Sequence, residues 1–199
     1  MNSQYFSAHF LSCAASISAA PEDIGAEVAF AGRSNAGKSR AINSITNQNN
    51  LAKTSKTPGR TQLLVFFEVI NNARLVDLPG YGYAKVPETV KRKWQTMVDN
   101  YLTHRRSLRG VIQVMDIRHP LKDFDLQMLQ WCMQAGLPAH ILLTKADKLK
   151  TGQAKRQLDA TRKEIGHQFP NATIQLFSAS KRTGIDDVHD VLDKWLMNQ

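Results

Sequence analysis

The octapeptide Gly32-Arg33-Ser34-Asn35-Ala36-Gly37-Lys38-Ser39 constrains the fold more than any other stretch, because it follows the apolar run Ala29-Phe30-Ala31 and opens a segment of helical period. Its pattern, GxxxxGK[ST], works only between a strand and a helix. The glycines let successive backbone amides turn inward around phosphate oxygens, and the positive end of the following helix adds to that field. Lys38 is then placed to reach β and γ oxygens. Ser39 offers its hydroxyl to Mg2+, a hard cation that keeps water and phosphate oxygens as its other ligands.

The rest of the chain repeats the alternation. Apolar runs of strand length occur at residues 27–31, 62–70, 74–77, 110–116, 140–144 and 173–177, separated by stretches of helical period at 38–46, 88–108, 123–135, 151–168 and 186–197. Asn71-Asn72 tolerates positive φ, so the second and third strands are expected to form an antiparallel hairpin. The expectation is an α/β fold: a six-stranded, mostly parallel sheet with one antiparallel strand and helices on both faces. The polar, aperiodic stretch 47–60, with Pro58-Gly59, reads as a mobile loop. The length of 199 residues and the lack of any repeat or linker suit one domain at 23–199, preceded by an extension at 1–22.

Three further motifs fall at strand ends. Asp77-Leu78-Pro79-Gly80 matches DxxG, in which the Asp holds Mg2+ through water and the Gly amide contacts a γ-phosphate. Thr144-Lys145-Ala146-Asp147 matches [NT]KxD, whose carboxylate accepts from N1–H and the exocyclic amine of guanine; adenine lacks those donors. Phe177-Ser178-Ala179 is similar to the loop that supports guanine from the other side by a backbone amide. Together they point to a binder of GTP and GDP.

Charge bears on partners. Twenty-six Lys and Arg against seventeen Asp and Glu give +9, an excess that attracts polyanions and favours nucleic acid. Cys13 and Cys132 stand far apart with no His or Cys at metal spacing, which fits a reducing cytoplasm and argues against a disulfide framework or zinc. Residues 6–20 lack the preceding cation of a signal peptide, and no run nears the length of about 18 apolar residues that spans a bilayer. No membrane association is expected.

With these motifs assembled, the chain resembles the EngB (YihA/YsxC) family of bacterial ribosome-assembly GTPases, in the Era-like group, over nearly its whole length. The most specific stretches are residues 30–39, Lys56-Thr57-Pro58-Gly59-Arg60-Thr61-Gln62 and Asp77-Leu78-Pro79-Gly80-Tyr81-Gly82-Tyr83-Ala84. The resemblance implies a Ras-like GTPase domain acting as a monomer on the large ribosomal subunit and its rRNA, needed for division and septation. It implies that Gly59, Arg60, Thr61, Gln62 and Leu63 close over the nucleotide. It also makes Thr61 the switch threonine on Mg2+ and the γ-phosphate, where spacing alone leaves Thr57 as a rival. Lys38, Thr61 and Gly80 are the residues expected to serve hydrolysis. Thr144 stands where the family more often has Asn, and Arg40-Ala41 departs from the small or apolar residues expected after Ser39.

Signalling GTPases place a water-orienting Gln directly after DxxG, and this chain has Tyr81. Tyr81 is either core or the mark of an enzyme slow by itself. Asn35 carries two readings: it shapes the loop, or, as in Era-like relatives, it helps hold K+ near the β and γ phosphates, supplying the charge of an arginine finger. A protein-directed signalling switch and a P-loop kinase of small metabolites are the alternatives. The first would want a lipid anchor and the Gln, and the second needs no base reader.

Overall fold

The computed structural model describes residues 2–53, 63–70, 72–81 and 87–197. Its strands are β1 (His9–Ala14), β2 (Ala26–Gly32), β3 (Leu64–Ile70), β4 (Ala73–Asp77), β5 (Leu108–Asp116), β6 (Ala139–Thr144) and β7 (Ala172–Leu176). They form one sheet in the order β1-β3-β4-β2-β5-β6-β7. β4, β2, β5, β6 and β7 are mutually parallel, while β3 is antiparallel to both its neighbours, so β3 alone runs against the rest. The α/β class and the single opposed strand match expectation.

The strand count does not: the sheet has seven strands rather than six. β1 is the addition. It lies on the edge, where Phe10 is 57% exposed, and a register shift between Phe10 and Ser12 breaks the alternation that would mark a strand in sequence. Asn72 has a φ of 62° in the β3–β4 turn, and its carbonyl accepts from the Ala26 amide at 3.2 Å.

The helices are α1 (Lys38–Ile45), α2 (Glu88–His104), α3 (Asp123–Gln134), α4 (Thr151–Gly166) and α5 (Ile185–Leu196). β2 shows why both sheet faces need cover, since all seven of its residues are buried. Ala29 and Ala31 join the core beneath α2, α3 and α4, with Val98, Met128 and Ile165; Val28 and Phe30 join the opposite core with Ile42 of α1 and Val188 and Leu192 of α5.

α2 ends at His104, four residues before the expected Leu108, because Arg105 turns inward. Its Nη2 donates to Glu27 Oε1 at 2.7 Å and its Nε to Glu27 Oε2 at 3.0 Å. Arg74 and the Tyr101 hydroxyl also donate to Glu27, at 3.0 and 2.8 Å. Glu27 has no solvent exposure, so its charge is met by two guanidinium groups and a phenol. The far end of α2 is thereby tied to β2 and β4. Arg105 thus belongs to a buried cluster although it follows the last residue of the helix.

The parallel strands deliver the motifs to one place. Gly32, Asp77, Asp116, Thr144 and Leu176 end β2, β4, β5, β6 and β7 at the carboxyl edge of the sheet, where ligands of open α/β sheets bind.

Candidate functional site

At the exit of β2, a Cβ on Gly32 would stand 2.7 Å from the Val114 carbonyl, so no larger residue fits there. Asn35 (φ 63°) and Gly37 (φ 101°) then turn the chain through left-handed conformations. The Ala36 amide bonds back to the Arg33 carbonyl at 3.0 Å, and Ala41 N–H to the Gly37 carbonyl at 2.8 Å starts α1. Lys38 and Ser39 sit in its first turn. The ammonium of Lys38 contacts the Asp77 carboxylate, and the Ser39 hydroxyl donates to the Lys53 carbonyl at 3.3 Å.

The DxxG segment lies directly against this loop. Leu78 N–H bonds to the Phe30 carbonyl at 3.0 Å, and its side chain enters the core. The Pro79 carbonyl accepts from Trp94 Nε1 at 3.0 Å. Gly80 is close enough that a Cβ would meet the Gly32 carbonyl at 3.6 Å and the Ser34 amide at 3.7 Å. The Tyr81 side chain is core: it is 3% exposed and points away from the loop.

The base-reading segment is braced on the phosphate loop twice. The buried Thr144 hydroxyl lies 2.5 Å from the Ala36 carbonyl and 3.0 Å from the Met115 carbonyl, so Thr in place of Asn still bonds the loop. Lys145, at φ 59°, reaches the Asn35 carbonyl at 2.7 Å and Asp116 Oδ2 at 2.9 Å. Asp147 sits in the short turn Ala146–Lys148, where its Oδ1 accepts from the Ser178 hydroxyl at 2.6 Å. That hydrogen bond holds the carboxyl below its ordinary range, so Asp147 is ionised and aimed. Ala146 N–H bonds to the Phe177 carbonyl at 3.2 Å, and the Ala179 carbonyl lies 3.5 Å from the Ser44 hydroxyl. The Phe177-Ser178-Ala179 loop therefore touches both the base reader and α1.

Gly59, Arg60, Thr61 and Gln62, with the rival Thr57, lie outside the described residues. Leu63 is described, immediately before β3. The remaining candidates, from Gly32 to Ser39, Asp77 to Gly80, Thr144 to Asp147 and Phe177 to Ala179, converge on one edge. No group of three or more His, Cys, Asp or Glu able to hold a metal occurs among the described residues. Ser39 and Asp77 by themselves fit a hard cation that takes its other ligands from water and phosphate.

Two supports went unread in sequence. Asp116 accepts from Arg118 at 2.6 and 2.9 Å and from Lys145; burial would raise its carboxyl, but these cations take it well below the usual range. Its place at the end of a parallel strand was the available signal. The other is a buried cluster of Tyr81, Asp125 and Gln113, which no motif marks.

A family model described as 50S ribosome-binding GTPase matches residues 27–145, from β2 through Lys145. The chain is 55% identical over 196 residues to a probable GTP-binding protein EngB of Nitrosococcus oceani, covering 98% of each. It is 54% identical over 191 residues to the like-named protein of Edwardsiella ictaluri, covering 96% of this chain and 88% of that one. A crystal structure of a probable GTP-binding protein engB superposes with a TM-score of 0.70 at 19% identity, over 87% of this chain and all of the other.

Proposed function

The chain belongs to the EngB family of 50S ribosome-binding GTPases, and from that membership we propose that it is a nucleotide-dependent switch in assembly of the large ribosomal subunit. It binds GTP and GDP and hydrolyses GTP. The observation that carries the site assignment is the double brace of the base reader on the phosphate loop, Thr144 on Ala36 and Lys145 on Asn35. A loop so held presents its amides without reorganising, which is how preorganised sites stabilise phosphate charge.

In this reading Gly32 to Ser39 cradle the phosphates, Lys38 leaves Asp77 for the β and γ oxygens, and Asp147 reads guanine with Phe177 to Ala179 behind it. Ser39 and Thr61 would hold Mg2+, with Asp77 reaching it through water, and the bound ion would supply positive charge to the phosphates. Gly59 to Leu63 close over the nucleotide. The Gly80 amide contacts the γ-phosphate. Hydrolysis is slow, because the buried Tyr81 side chain offers the attacking water no base. Asn35 supplies a K+ site beside the phosphates, which predicts a lower rate when Na+ replaces K+ at constant ionic strength; equal rates would remove that assignment.

The partner surface follows from charge. Arg92 and Lys93 of α2 are exposed, and Lys91 is shared between Glu88 at 3.7 Å and the Phe124 ring at 5.3 Å. These cations start the helix that follows DxxG. In this reading Lys53, Lys56, Arg60 and Lys85 join them in contacting rRNA phosphates, so affinity falls steeply with salt as counterions are released. Among the described residues no helix is long and apolar enough to cross a membrane, and action as a monomer in the cytoplasm, supporting division and septation, completes the proposal. The test is cosedimentation with large subunits. The form carrying a non-hydrolysable GTP analogue should pellet more than the GDP form, and reversing the charges of Lys91, Arg92 and Lys93 should abolish the excess without altering GTP affinity. Equal pelleting of both forms would refute the switch.

A further inference from the structure

We propose that Tyr81 and Asp125 are positioning residues for GTP hydrolysis, their hydrogen bond holding the Gly80–Tyr81 peptide against the phosphate loop. The inference rests on the reading above that the Gly80 amide meets the γ-phosphate.

The main chain shows what is held. Ser34 N–H donates to the Tyr81 carbonyl at 2.8 Å and Tyr81 N–H to the Gly32 carbonyl at 3.4 Å, so residue 81 is bridged to both sides of Arg33. Gly80 is carried into contact with the loop between these anchors. Its amide direction then depends on whatever fixes Tyr81.

The side chain shows what does the holding. The Tyr81 hydroxyl donates its one proton to Asp125 Oδ1 at 2.9 Å and accepts from Gln113 Nε2 at 3.1 Å. Gln113 also donates to the Asp125 carbonyl at 2.9 Å, and Asp125 Oδ2 accepts from the Lys122 amide at 3.1 Å. Asp125 is 1% exposed and Gln113 fully buried, so these bonds are made away from water, where they are stronger than at the surface. The ring is flanked by Trp94 and Phe124 at 5.5 and 5.9 Å between centroids. Trp94 in turn bonds the Pro79 carbonyl at 3.0 Å. The peptides on either side of Gly80 are thus fixed from the core by β5, α2 and α3. Because the hydroxyl is spent inside the protein, Tyr81 acts through its backbone and touches no reacting atom.

Tyr81→Phe keeps the ring and removes the bond. Only the triphosphate uses the Gly80 amide, so single-turnover GTP hydrolysis should slow about tenfold, less than the roughly hundredfold or more that losing such a donor outright costs, because the amide is misaligned and not removed. GDP affinity, measured with a fluorescent analogue, should stay within about twofold for the same reason. Asp125→Ala, which removes the acceptor itself, should slow hydrolysis alike, and the double variant should be no slower than the slower single one, since both remove the same bond. An unchanged rate in Tyr81→Phe overturns the proposal. So does a parallel loss of GDP affinity and melting temperature, which would make the cluster merely structural, or additive effects in the double variant. Gly80→Pro, which removes the amide proton, separates the premise from the inference: a native rate in that variant refutes the placement of the γ-phosphate, whereas a slow Gly80→Pro that still binds GDP, with normal Tyr81→Phe, refutes the positioning role alone.

Discussion

Replacing Thr144 by Val keeps the shape of a 3% exposed side chain and deletes the hydroxyl that reaches Ala36 at 2.5 Å and Met115 at 3.0 Å. A buried acceptor left without its donor costs about 1–3 kcal/mol. Part of that should appear as stability, since the bond exists in the folded protein regardless of ligand. At this chain length each kcal/mol corresponds to roughly 2–4 °C, so the melting temperature should fall by about 2–10 °C. The rest should appear in binding, because the Ala36 peptide belongs to the phosphate cradle and would no longer be fixed before nucleotide arrives. If 1–2 kcal/mol is expressed there, GDP affinity drops roughly 5- to 30-fold, mostly through faster release. Stopped-flow release of a fluorescent GDP well below the melting temperature measures this. Thr144→Ser, which keeps the hydroxyl, should recover most of the affinity. Val binding within twofold of native with an unchanged melting temperature would refute the brace.

Glu27→Gln should leave Arg74 and Arg105 without their buried counter-charge, costing about 3–5 kcal/mol and lowering the melting temperature by roughly 10 °C in thermal unfolding, while GDP affinity of the folded protein is retained. His140 and His189 are held neutral: burial lowers both below the ordinary 6.5, and each ring has hydrogen-bond partners on both nitrogens. Groups with depressed pKa values contribute stability that is present above 6.5 and lost as pH falls, so melting scans should be flat above pH 7 and decline below about 6.5.

The chemistry-bearing loops were legible because their residue types are dictated locally. Gly37 must take a left-handed φ, Lys38 must follow it into a helix, and each motif must end a strand, whatever else the chain does. The parallel strands were legible for a related reason: β2, buried on both faces, reads as an apolar run interrupted only by Glu27. β1 was not, since an edge strand with Phe10 in solvent and a register shift carries no alternation. The end of α2 was misread because the helical pattern runs on through Arg105, and only the tertiary pairing with Glu27 turns it inward. The same limit hid Asp116 with Lys145 and Tyr81 with Asp125. Their meaning lies in contacts made across strands and helices distant in sequence, and no spacing rule encodes those.

The proposed switch requires that the nucleotide read by Asp147 govern association with the large subunit. Asp147→Asn should exchange the guanine preference for xanthine, because an amide donates where the carboxylate accepted. Cosedimentation of this variant with large subunits should then rise with a non-hydrolysable xanthosine triphosphate and ignore the guanosine analogue, the reverse of the native chain. Pelleting that still follows the guanosine analogue, or that is indifferent to both nucleotides while xanthosine triphosphate binds, would contradict the account.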